Sequence, residues 1–305
     1  MKRSHAIADE MDSAMKKRIV VIGGNGQLGS DVVEAFAGSA EVNSLTHQDV
    51  ELSALGSVAT CLGAIDPDIV INTAAMHHVE NCERDPERAY AINTLGARNL
   101  ATVTRDIGAV LIHVSTDYVF DGRKSSPYTE ADLTLPLNVY GNSKLAGEYF
   151  VRIGNEKHIV LRTSALYGRQ PCRAKGGSNF VDLMLRQGRE RGEVRVAAGE
   201  IVSPTSTRDL SRQIVALSEA GVYGLFHATA EGSCSWHEFA CEIFASVGLP
   251  VRCLVAGLNE FPAKVLRPAY SVLENARLKQ AGLNQFQPWR EGLHAYLEQT
   301  CTAIA

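Results

Sequence analysis

The chain has 305 residues, 45% of them hydrophobic, and a formal net charge of −4 at pH 7. This length and apolar content predict a large core, either in one long α/β unit or in two lobes. The slightly negative charge gives no electrostatic reason to expect nucleic acid or an anionic membrane surface, and neither is predicted as a partner.

Residues 1–16 are polar and mixed in charge, and they lack the apolar centre of a signal peptide. We predict that they form a disordered leader. No apolar run approaches the ~20 residues that a membrane span needs. The seven cysteines are odd in number and form no Cys-x-x-Cys pair, which favours a reducing, cytoplasmic location over a disulfide framework.

Short apolar runs alternate with amphipathic stretches of helical length through the first half of the chain. This alternation predicts a doubly wound, Rossmann-like α/β fold, in which helices cover both faces of a parallel sheet. Residues 17–164 are the predicted dinucleotide-binding domain. The predicted strands are RIVVI (18–22), EVNSLT (41–46), DIVIN (68–72), AVLIHVS (109–115) and HIVLRTS (158–164).

The alternation loosens after residue 164, where prolines and glycines become more frequent between the periodic segments. Residues 165–305 are therefore predicted to form mainly a smaller, irregular α/β lobe that binds substrate. Some of its segments are expected to return to the first domain.

A glycine-rich turn lies between the first predicted strand and the first predicted helix. Gly23 permits the tight turn, Gly26 permits close approach of a pyrophosphate, and Gly29 permits close packing of the helix on the strand. The helix N-terminus would then offer free N–H groups to the phosphates. The spacing is G-x-x-G-x-x-G instead of the commoner G-x-G-x-x-G, and a purely structural turn stays the alternative.

The second predicted strand ends in Leu45–Thr46–His47, without the acid that would bind the ribose 2′-hydroxyl of NAD. This end favours NADPH, because no carboxylate repels a 2′-phosphate and His47 could donate to it. NADH stays possible, and an exposed surface histidine is the alternative role for His47.

A tyrosine and a lysine four residues apart follow the fourth strand. Thr116 lies at the carboxyl end of that strand, and a helix beginning near Asn138 would place Tyr140 and Lys144 on one face. A lysine charge would lower the pKa of the tyrosine, and the phenol could then protonate the oxygen of a carbonyl that a nicotinamide reduces. Tyr140, Lys144 and Thr116 are the predicted catalytic set.

The chain resembles the extended short-chain dehydrogenase/reductases and, within them, the dTDP-4-dehydrorhamnose reductase family. The resemblance covers residues 17–300. Among the matching segments are GGNGQLG (23–29), DPDIVINTAA (66–75), STDYVFDG (115–122), PLNVYGNSKLAGE (136–148) and RPAYSVLENARL (267–278). It implies NADPH-dependent reduction of the 4-keto group of a dTDP-linked deoxysugar, such as dTDP-4-dehydro-L-rhamnose to dTDP-L-rhamnose.

The resemblance also assigns roles to individual residues. Tyr140 would donate the proton, Lys144 would bind the nicotinamide ribose, and Thr116 would hold the keto oxygen. Asp117 and Tyr118 would lie beside the sugar. The further cofactor contacts that it implies are Gln27 and Leu28 in the turn, Ala74 and Ala75 along the dinucleotide path, and Glu51 near the adenine, with Asn93 supporting the strand edges.

Two departures from the family pattern leave the accepted sugar open. Ala165 stands where the family often has a tryptophan against the sugar ring, and the segment 199–205 lacks the usual acidic and glycine positions. Arg267 either binds a substrate phosphate or forms a salt bridge at the lobe boundary, and the resemblance favours the substrate.

Cys234, His237 and Cys241 suggest zinc, but they lack a convincing fourth ligand, and no metal site is predicted. Some family members use magnesium at a dimer contact, which no ligand cluster in this sequence predicts. Both a monomer and a homodimer remain open.

Two other functions are compatible with the pattern. One is an epimerase or dehydratase of the same superfamily, although Ser-Thr-Asp at residues 115–117 fits reduction better than the Asp-Glu pair typical of dehydratases. The other is a non-catalytic regulatory subunit, which would not need to keep Tyr140, Lys144 and Thr116 together.

Overall fold

The computed structural model describes residues 16–171, 177–257, 260 and 264–302. The predicted leader therefore lies outside the described residues, apart from Lys16, which is exposed.

The centre of the molecule is a six-stranded parallel sheet with the strand order β10-β5-β4-β3-β1-β2. Each of the five strands predicted from the sequence forms, and its bounds agree to within one residue. The predicted fold class is confirmed. The strands are β1 (Arg18–Ile22), β2 (Glu41–Leu45), β3 (Ile69–Asn72), β4 (Val110–Thr116), β5 (His158–Thr163) and β10 (Gly224–His227).

Helices cover both faces of this sheet. They are α1 (Gln27–Ala35), α2 (Leu55–Ile65), α3 (Val79–Arg84), α4 (Pro86–Tyr90), a π-helical turn (Ala91–Leu95), α5 (Gly96–Asp106) and α6 (Val139–Gly154). A single 3-10 turn (Asp117–Val119) follows β4. No helix in the described part of the chain is both long enough and apolar enough to cross a bilayer.

The inner strands β1, β3, β4 and β5 are buried on both faces because their side chains alternate between two cores, whereas the edge strand β2 is partly exposed. In β1, Ile19 and Val21 pack in the core that contains Val32 of α1, whereas Val20 and Ile22 pack in the core that contains Leu62 of α2. This double burial explains why the strands read as nearly continuous apolar runs.

The second half of the chain builds a smaller lobe with its own core around Phe239. Its elements are α7 (Phe180–Arg191), β7 (Glu193–Val196), β8 (Ile201–Val202), β11 (Cys234–Ser235), α9 (Trp236–Ser246), β12 (Arg252–Val255) and α11 (Trp289–Thr302). The strands of this lobe form two-stranded sheets, β11 with β8 and β12 with β7.

Other segments of the second half pack against the large sheet. Strand β10 pairs with β5, and α8 (Thr207–Glu219) contributes Leu210 and Ile214 to the same core as α1. Two short elements, β6 (Leu166–Tyr167) and β9 (Thr205–Ser206), pair with each other, and α10 (Ala276–Gln280) contacts β10. The division at residue 164 stays a prediction.

The strand order reverses between β1 and β3, which lie side by side although β2 follows β1 in the chain. In open parallel sheets, ligands bind beyond the carboxyl ends of the strands at such a reversal. The glycine-rich turn follows β1 at this point, and Thr73 follows β3 next to it.

Candidate active site

The glycine-rich turn has the features of a phosphate-binding turn. Gly23 has a φ of +78°, a conformation that favours glycine, and an added Cβ would lie 3.0 Å from Thr73 Oγ1. A Cβ on Gly29 would collide with the carbonyl oxygen of Gly23. Helix α1 begins at Gln27 behind Gly26, and no described side chain caps it, so the N–H groups of its first turn remain available to a phosphate.

Gln27 has a further role that the sequence did not indicate. Its carboxamide nitrogen donates to the carbonyl oxygens of Gly168 and Gln170, both at 3.3 Å. Leu28, the next residue, is buried in the core under the sheet. The turn therefore connects the large sheet with the chain that leads into the smaller lobe.

His47 and Glu51 lie beyond the end of β2, and both are exposed. The Glu51 carboxylate accepts hydrogen bonds from the N–H and hydroxyl of Ser53, at 2.9 and 2.7 Å. These bonds hold the pKa of Glu51 below its ordinary value and keep it ionised. The predicted contacts of both residues with a cofactor stay predictions.

The segment after β3 is fixed by two asparagines. The N–H of Ala74 donates to Asn72 Oδ1 at 3.1 Å, and Ala74 and Ala75 are both half-buried. Asn93, in the π-helical turn, bonds to the N–H and the carbonyl of Met76, both at 2.9 Å, and donates to the Ser143 hydroxyl. Asn93 therefore supports this strand edge, as the resemblance implies, and it also joins the edge to helix α6.

Helix α6 begins where the sequence predicted. Asn138 caps it by accepting from the N–H of Gly141 at 2.9 Å, and its amide nitrogen donates to the carbonyl of Leu266 at 2.9 Å. The same side chain thus caps the helix and bonds to the segment that contains Leu266.

Tyr140 lies against Tyr118, with ring centroids 5.8 Å apart in an edge-to-face arrangement. Burial raises the pKa of the Tyr140 phenol above its ordinary value, and a hydrogen bond with Thr116 acts in the opposite direction. The phenol is therefore protonated at neutral pH, which is the form that can donate a proton. The net lowering of the Tyr140 pKa that the sequence led us to expect is not found, because burial, the largest cause, raises it.

Lys144 is buried, with 2% of its surface exposed. Its ammonium group donates to the carbonyl of Val114 at 2.6 Å and lies 3.2 Å from His113 Nε2, whose other ring nitrogen is 3.0 Å from Asn72 Nδ2. Burial lowers the pKa of Lys144 to about 8, and the nearby Glu148 carboxylate acts in the opposite direction. Lys144 is thus held against β4.

A buried ion pair supports this lysine. Glu148 lies one helical turn after Lys144, and its carboxylate accepts from Arg162 Nη2 at 2.7 Å and from the Ser115 hydroxyl at 2.5 Å. Sequence reasoning missed this pair. The available signal was the four-residue spacing of Glu148 from Lys144, but nothing in the sequence indicated that Arg162 lies across from them.

Asp117 is enclosed by hydroxyl groups of its neighbours. Its carboxylate is buried and accepts hydrogen bonds from the hydroxyls of Thr116, Ser164 and Ser271, at 3.0, 2.8 and 2.6 Å. Burial raises the pKa of Asp117. The side chain therefore bonds to the hydroxyl of Thr116, and its predicted position beside the sugar stays a prediction.

A second polar group lies on the lobe side of the site. Arg267 donates to the Glu80 carboxylate at 2.7 Å. Burial raises the pKa of Tyr118, and the charge of Arg267 acts to lower it. Glu200 accepts a hydrogen bond from the indole N–H of Trp236 at 3.2 Å. Its negative charge acts to raise the pKa of both Arg267 and Tyr118. The sequence singled out neither glutamate.

Both alternatives for Arg267 therefore have support. The salt bridge with Glu80 forms, and 35% of the arginine side chain is still exposed and able to meet a ligand.

Ala165 has a φ of +45°, in the left-handed region that alanine rarely adopts. It is half-buried, and its carbonyl accepts from the N–H of Thr205 at 3.3 Å. The two places where the sequence departs from the family pattern, Ala165 and the segment 199–205, are therefore neighbours in space.

The comparisons with known proteins agree with this geometry. The family model described as RmlD substrate binding domain matches residues 16–302. The chain is 38% identical to the spore coat polysaccharide biosynthesis protein SpsK of Bacillus subtilis, over 94% of this chain and 99% of that protein. It is 34% identical to a dTDP-4-dehydrorhamnose reductase of Sinorhizobium fredii, over 90% of this chain and 94% of that protein.

Two solved structures are similarly close. A dTDP-4-dehydrorhamnose reductase from Clostridium acetobutylicum has a TM-score of 0.89 and 37% identity, covering 93% of this chain and 99% of its own. A dTDP-4-dehydrorhamnose reductase from Bacillus anthracis, solved in complex with NADP, has the same TM-score and identity. The match covers 93% of this chain and 100% of that chain. A UDP-glucose 4-epimerase from Thermotoga maritima, at 20% identity and a TM-score of 0.80, shares the fold.

Proposed function

The chain belongs to the dTDP-4-dehydrorhamnose reductase family, and on that premise we propose that it reduces the 4-keto group of a dTDP-linked deoxysugar with NADPH. The first candidate reaction is dTDP-4-dehydro-L-rhamnose to dTDP-L-rhamnose. The observation that carries this proposal is the position of Tyr140 on α6, against the ring of Tyr118 and one helical turn before the buried Lys144, which bonds to Val114 of β4.

The residues at the sheet edge fit this cofactor. The uncapped first turn of α1 would bind the pyrophosphate, and a Cβ at Gly23 or Gly29 would crowd the turn that presents it. The exposed His47 would meet the 2′-phosphate, and Ala74 and Ala75 would leave room for the dinucleotide. When bound, NADPH supplies the hydride that reduces the ketone.

Tyr140 and Thr116 would act together on the keto oxygen. The raised pKa keeps the phenol protonated, so that it can give its proton as negative charge develops on that oxygen. The Thr116 hydroxyl, whose single proton goes to the Asp117 carboxylate in this structure, would turn that proton to the same oxygen when the ketone binds.

Lys144 would act in two ways. It is still largely protonated at neutral pH, and its charge would stabilise the tyrosinate that remains after the proton is given. It would also donate to the nicotinamide ribose. The hydrogen bond to Val114 and the contact with His113 hold the ammonium group in place before either partner arrives.

The smaller lobe would bind the rest of the nucleotide sugar. Tyr118 would lie against the sugar, and Arg267 would bind a phosphate of the dTDP group. Ala165 removes the flat surface that the family's tryptophan offers, so other 4-keto sugars can be accepted. A curated relative from Streptomyces niveus, 36% identical, is named dTDP-4-keto-6-deoxy-D-glucose reductase, and that sugar is the second candidate substrate.

The test is NADPH oxidation by the purified chain with dTDP-4-dehydro-L-rhamnose and dTDP-4-keto-6-deoxy-D-glucose as separate substrates. We expect one NADPH consumed for each sugar reduced, with NADH compared in parallel. An epimerase or dehydratase would convert sugar without net cofactor consumption. A regulatory subunit would bind NADPH and convert neither sugar, and both of these outcomes would contradict the proposal.

We further propose a cytoplasmic location, because the nucleotide-sugar substrates and NADPH of this reaction are made and used there. The chain would act as a monomer or a homodimer. Light scattering of the purified protein would distinguish these two states.

A further inference from the structure

A cluster of possible metal ligands lies in the smaller lobe. His237 and Cys241 are four residues apart on α9 and therefore share one face of the helix, and Cys253 lies on β12 next to that face. One ligand atom from each residue falls within 4.8 Å of the other two. The distance from Cys241 Sγ to His237 Nε2 is 3.7 Å.

This cluster differs from the trio that the sequence suggested. Cys234 lies on β11, where it is buried in the apolar core of the lobe, and Cys253 takes its place beside His237 and Cys241. The sequence hid this partner because Cys253 is twelve residues beyond Cys241. The parallel pairing of Cys253 with Val194 of β7 fixes β12 beside α9.

The atoms and their spacing fit a thiophilic cation. With bond lengths of about 2.3 Å to sulfur and about 2.0 Å to nitrogen, a tetrahedral zinc ion separates a thiolate from an imidazole nitrogen by about 3.5 Å. The distance of 3.7 Å between Cys241 Sγ and His237 Nε2 therefore needs only a small movement of these side chains. Mg²⁺ and Ca²⁺ prefer oxygen ligands and do not suit this set.

We propose that His237, Cys241 and Cys253 bind one zinc ion, with the fourth position open to water. Binding replaces the protons of the two thiols, whose sulfur atoms lie within 4.8 Å of each other. It also requires His237 Nε2, now 3.3 Å from the carbonyl of Cys253, to carry its ring proton on the other nitrogen. The three side chains are half-buried, so an ion can enter from solvent.

The site would fasten α9 to β12, a strand of a two-stranded sheet. Trp236, directly before His237, donates to Glu200 on the lobe side of the reductase site. An ion at this helix start would therefore stabilise the lobe that contacts the sugar, without a ligand from the catalytic set.

The test uses the full chain, reduced and stripped of metal with a chelator, and titrated with Co²⁺. We expect saturation at one equivalent, with a thiolate-to-cobalt charge-transfer band and the intense visible bands of tetrahedral cobalt. Zn²⁺ should then displace the cobalt and raise the thermal unfolding temperature. A spectrum without the thiolate band would overturn the proposal.

Variants identify the ligands. Cys253→Ser, Cys241→Ser and His237→Gln should each weaken Co²⁺ binding by at least about 100-fold, since even loss of an outer partner costs 10–100-fold. Cys61→Ser, at a half-buried thiol of α2, should bind normally. Circular dichroism checks that each variant folds, and the two changes on α9 test the site even if Cys253→Ser does not fold.

Two further results would refute the site. One is normal Co²⁺ binding by a folded His237→Gln variant. The other is a Cys241–Cys253 disulfide that forms in the purified protein under mild reduction and leaves no thiols for a metal.

Discussion

The two sides of the candidate reductase site hold their charged groups in different ways. On the sheet side, Lys144, Glu148 and Arg162 are almost completely buried. Glu148 and Arg162 form an ion pair with each other, and Lys144 donates to the carbonyl of Val114. On the lobe side, Arg267 pairs at the surface with Glu80 of α3, a helix that covers the large sheet, and a quarter to a third of each side chain is exposed.

This difference in burial indicates which residues of the site can be substituted at little cost in stability and which cannot. A buried charge that loses its partner is costly, so the sheet side constrains the groups that move the proton. An exposed ion pair contributes little to stability, and residues around it can change at small cost. The departures from the family pattern, Ala165 and the segment 199–205, are both on the lobe side.

Breaking the buried pair should have the largest effect on stability. Glu148→Ala leaves Arg162 buried without its carboxylate, and we expect a loss of about 3–5 kcal/mol in the free energy of unfolding, measured by urea denaturation. Glu219→Ala, at an exposed glutamate ending α8, is the control and should stay within about 0.5 kcal/mol.

A double variant sharpens this test. Glu148→Leu combined with Arg162→Met removes both charges, and it should recover most of the stability that either single change removes. A Glu148→Ala variant within about 1 kcal/mol of the parent would show that the pair is not as tightly coupled as its burial indicates.

The pKa of the buried Lys144 leads us to predict how kcat/KM for NADPH depends on pH. Lys144 has a pKa lowered to about 8, so its ammonium form is present below that pH and is lost as the pH rises through it. We expect kcat/KM for NADPH, which reports ionisations of the free enzyme, to fall about tenfold per pH unit above pH 8. Tyr140, whose pKa is raised, would titrate at higher pH.

Substitution of Lys144 tests whether its amine, and not another titrating group, causes the alkaline decline. Lys144→Met should bind NADPH more weakly at pH 7 and should lose this alkaline decline in binding. A wild-type profile that is flat to about one and a half units above pH 8 would contradict the assignment.

On the lobe side, Arg267→Met should affect substrate binding more than stability. Loss of a charge-assisted hydrogen bond to a phosphate costs about 1.5–3 kcal/mol, which corresponds to a rise of roughly 10- to 150-fold in KM for the nucleotide sugar. The unfolding free energy should change by less than about 1 kcal/mol, because the Glu80 pair is partly exposed.

Arg252→Met is the matched control, since Arg252 also forms an exposed ion pair in the smaller lobe, with Glu193. It should leave KM unchanged. If Arg267→Met also leaves KM unchanged, the arginine forms the ion pair with Glu80 but does not bind a substrate phosphate.

The smallest effect is expected at Ala165. Glycine adopts a φ of +45° without the strain that alanine bears, but it loses more entropy on folding, so Ala165→Gly should raise stability by no more than about 1 kcal/mol. Asp66→Gly, at the other described non-glycine residue with a positive φ, gives a surface reference. A fall in the thermal unfolding temperature for Ala165→Gly would mean that its methyl group packs against essential neighbours.

The features that depend on local sequence were predictable. The parallel strands, the Asn138 cap and the tight glycine-rich turn follow from periodicity, capping chemistry and glycine placement. The contacts of Arg162, Glu80 and Cys253 were not, because each joins segments that are distant in the chain. The enclosure of Asp117 and the raised pKa of Tyr140 also depend on burial, which tertiary packing determines.

The most direct test of the proton-donor role is turnover by Tyr140→Phe, with Tyr149→Phe, at an exposed tyrosine on the same helix, as its control. We expect Tyr140→Phe to fold, to bind NADPH with the parent's affinity, and to reduce the 4-keto sugar about 10²–10⁴-fold more slowly, as for loss of a general acid. Tyr149→Phe should be fully active. Turnover by Tyr140→Phe within a few-fold of the parent would show that another group supplies the proton.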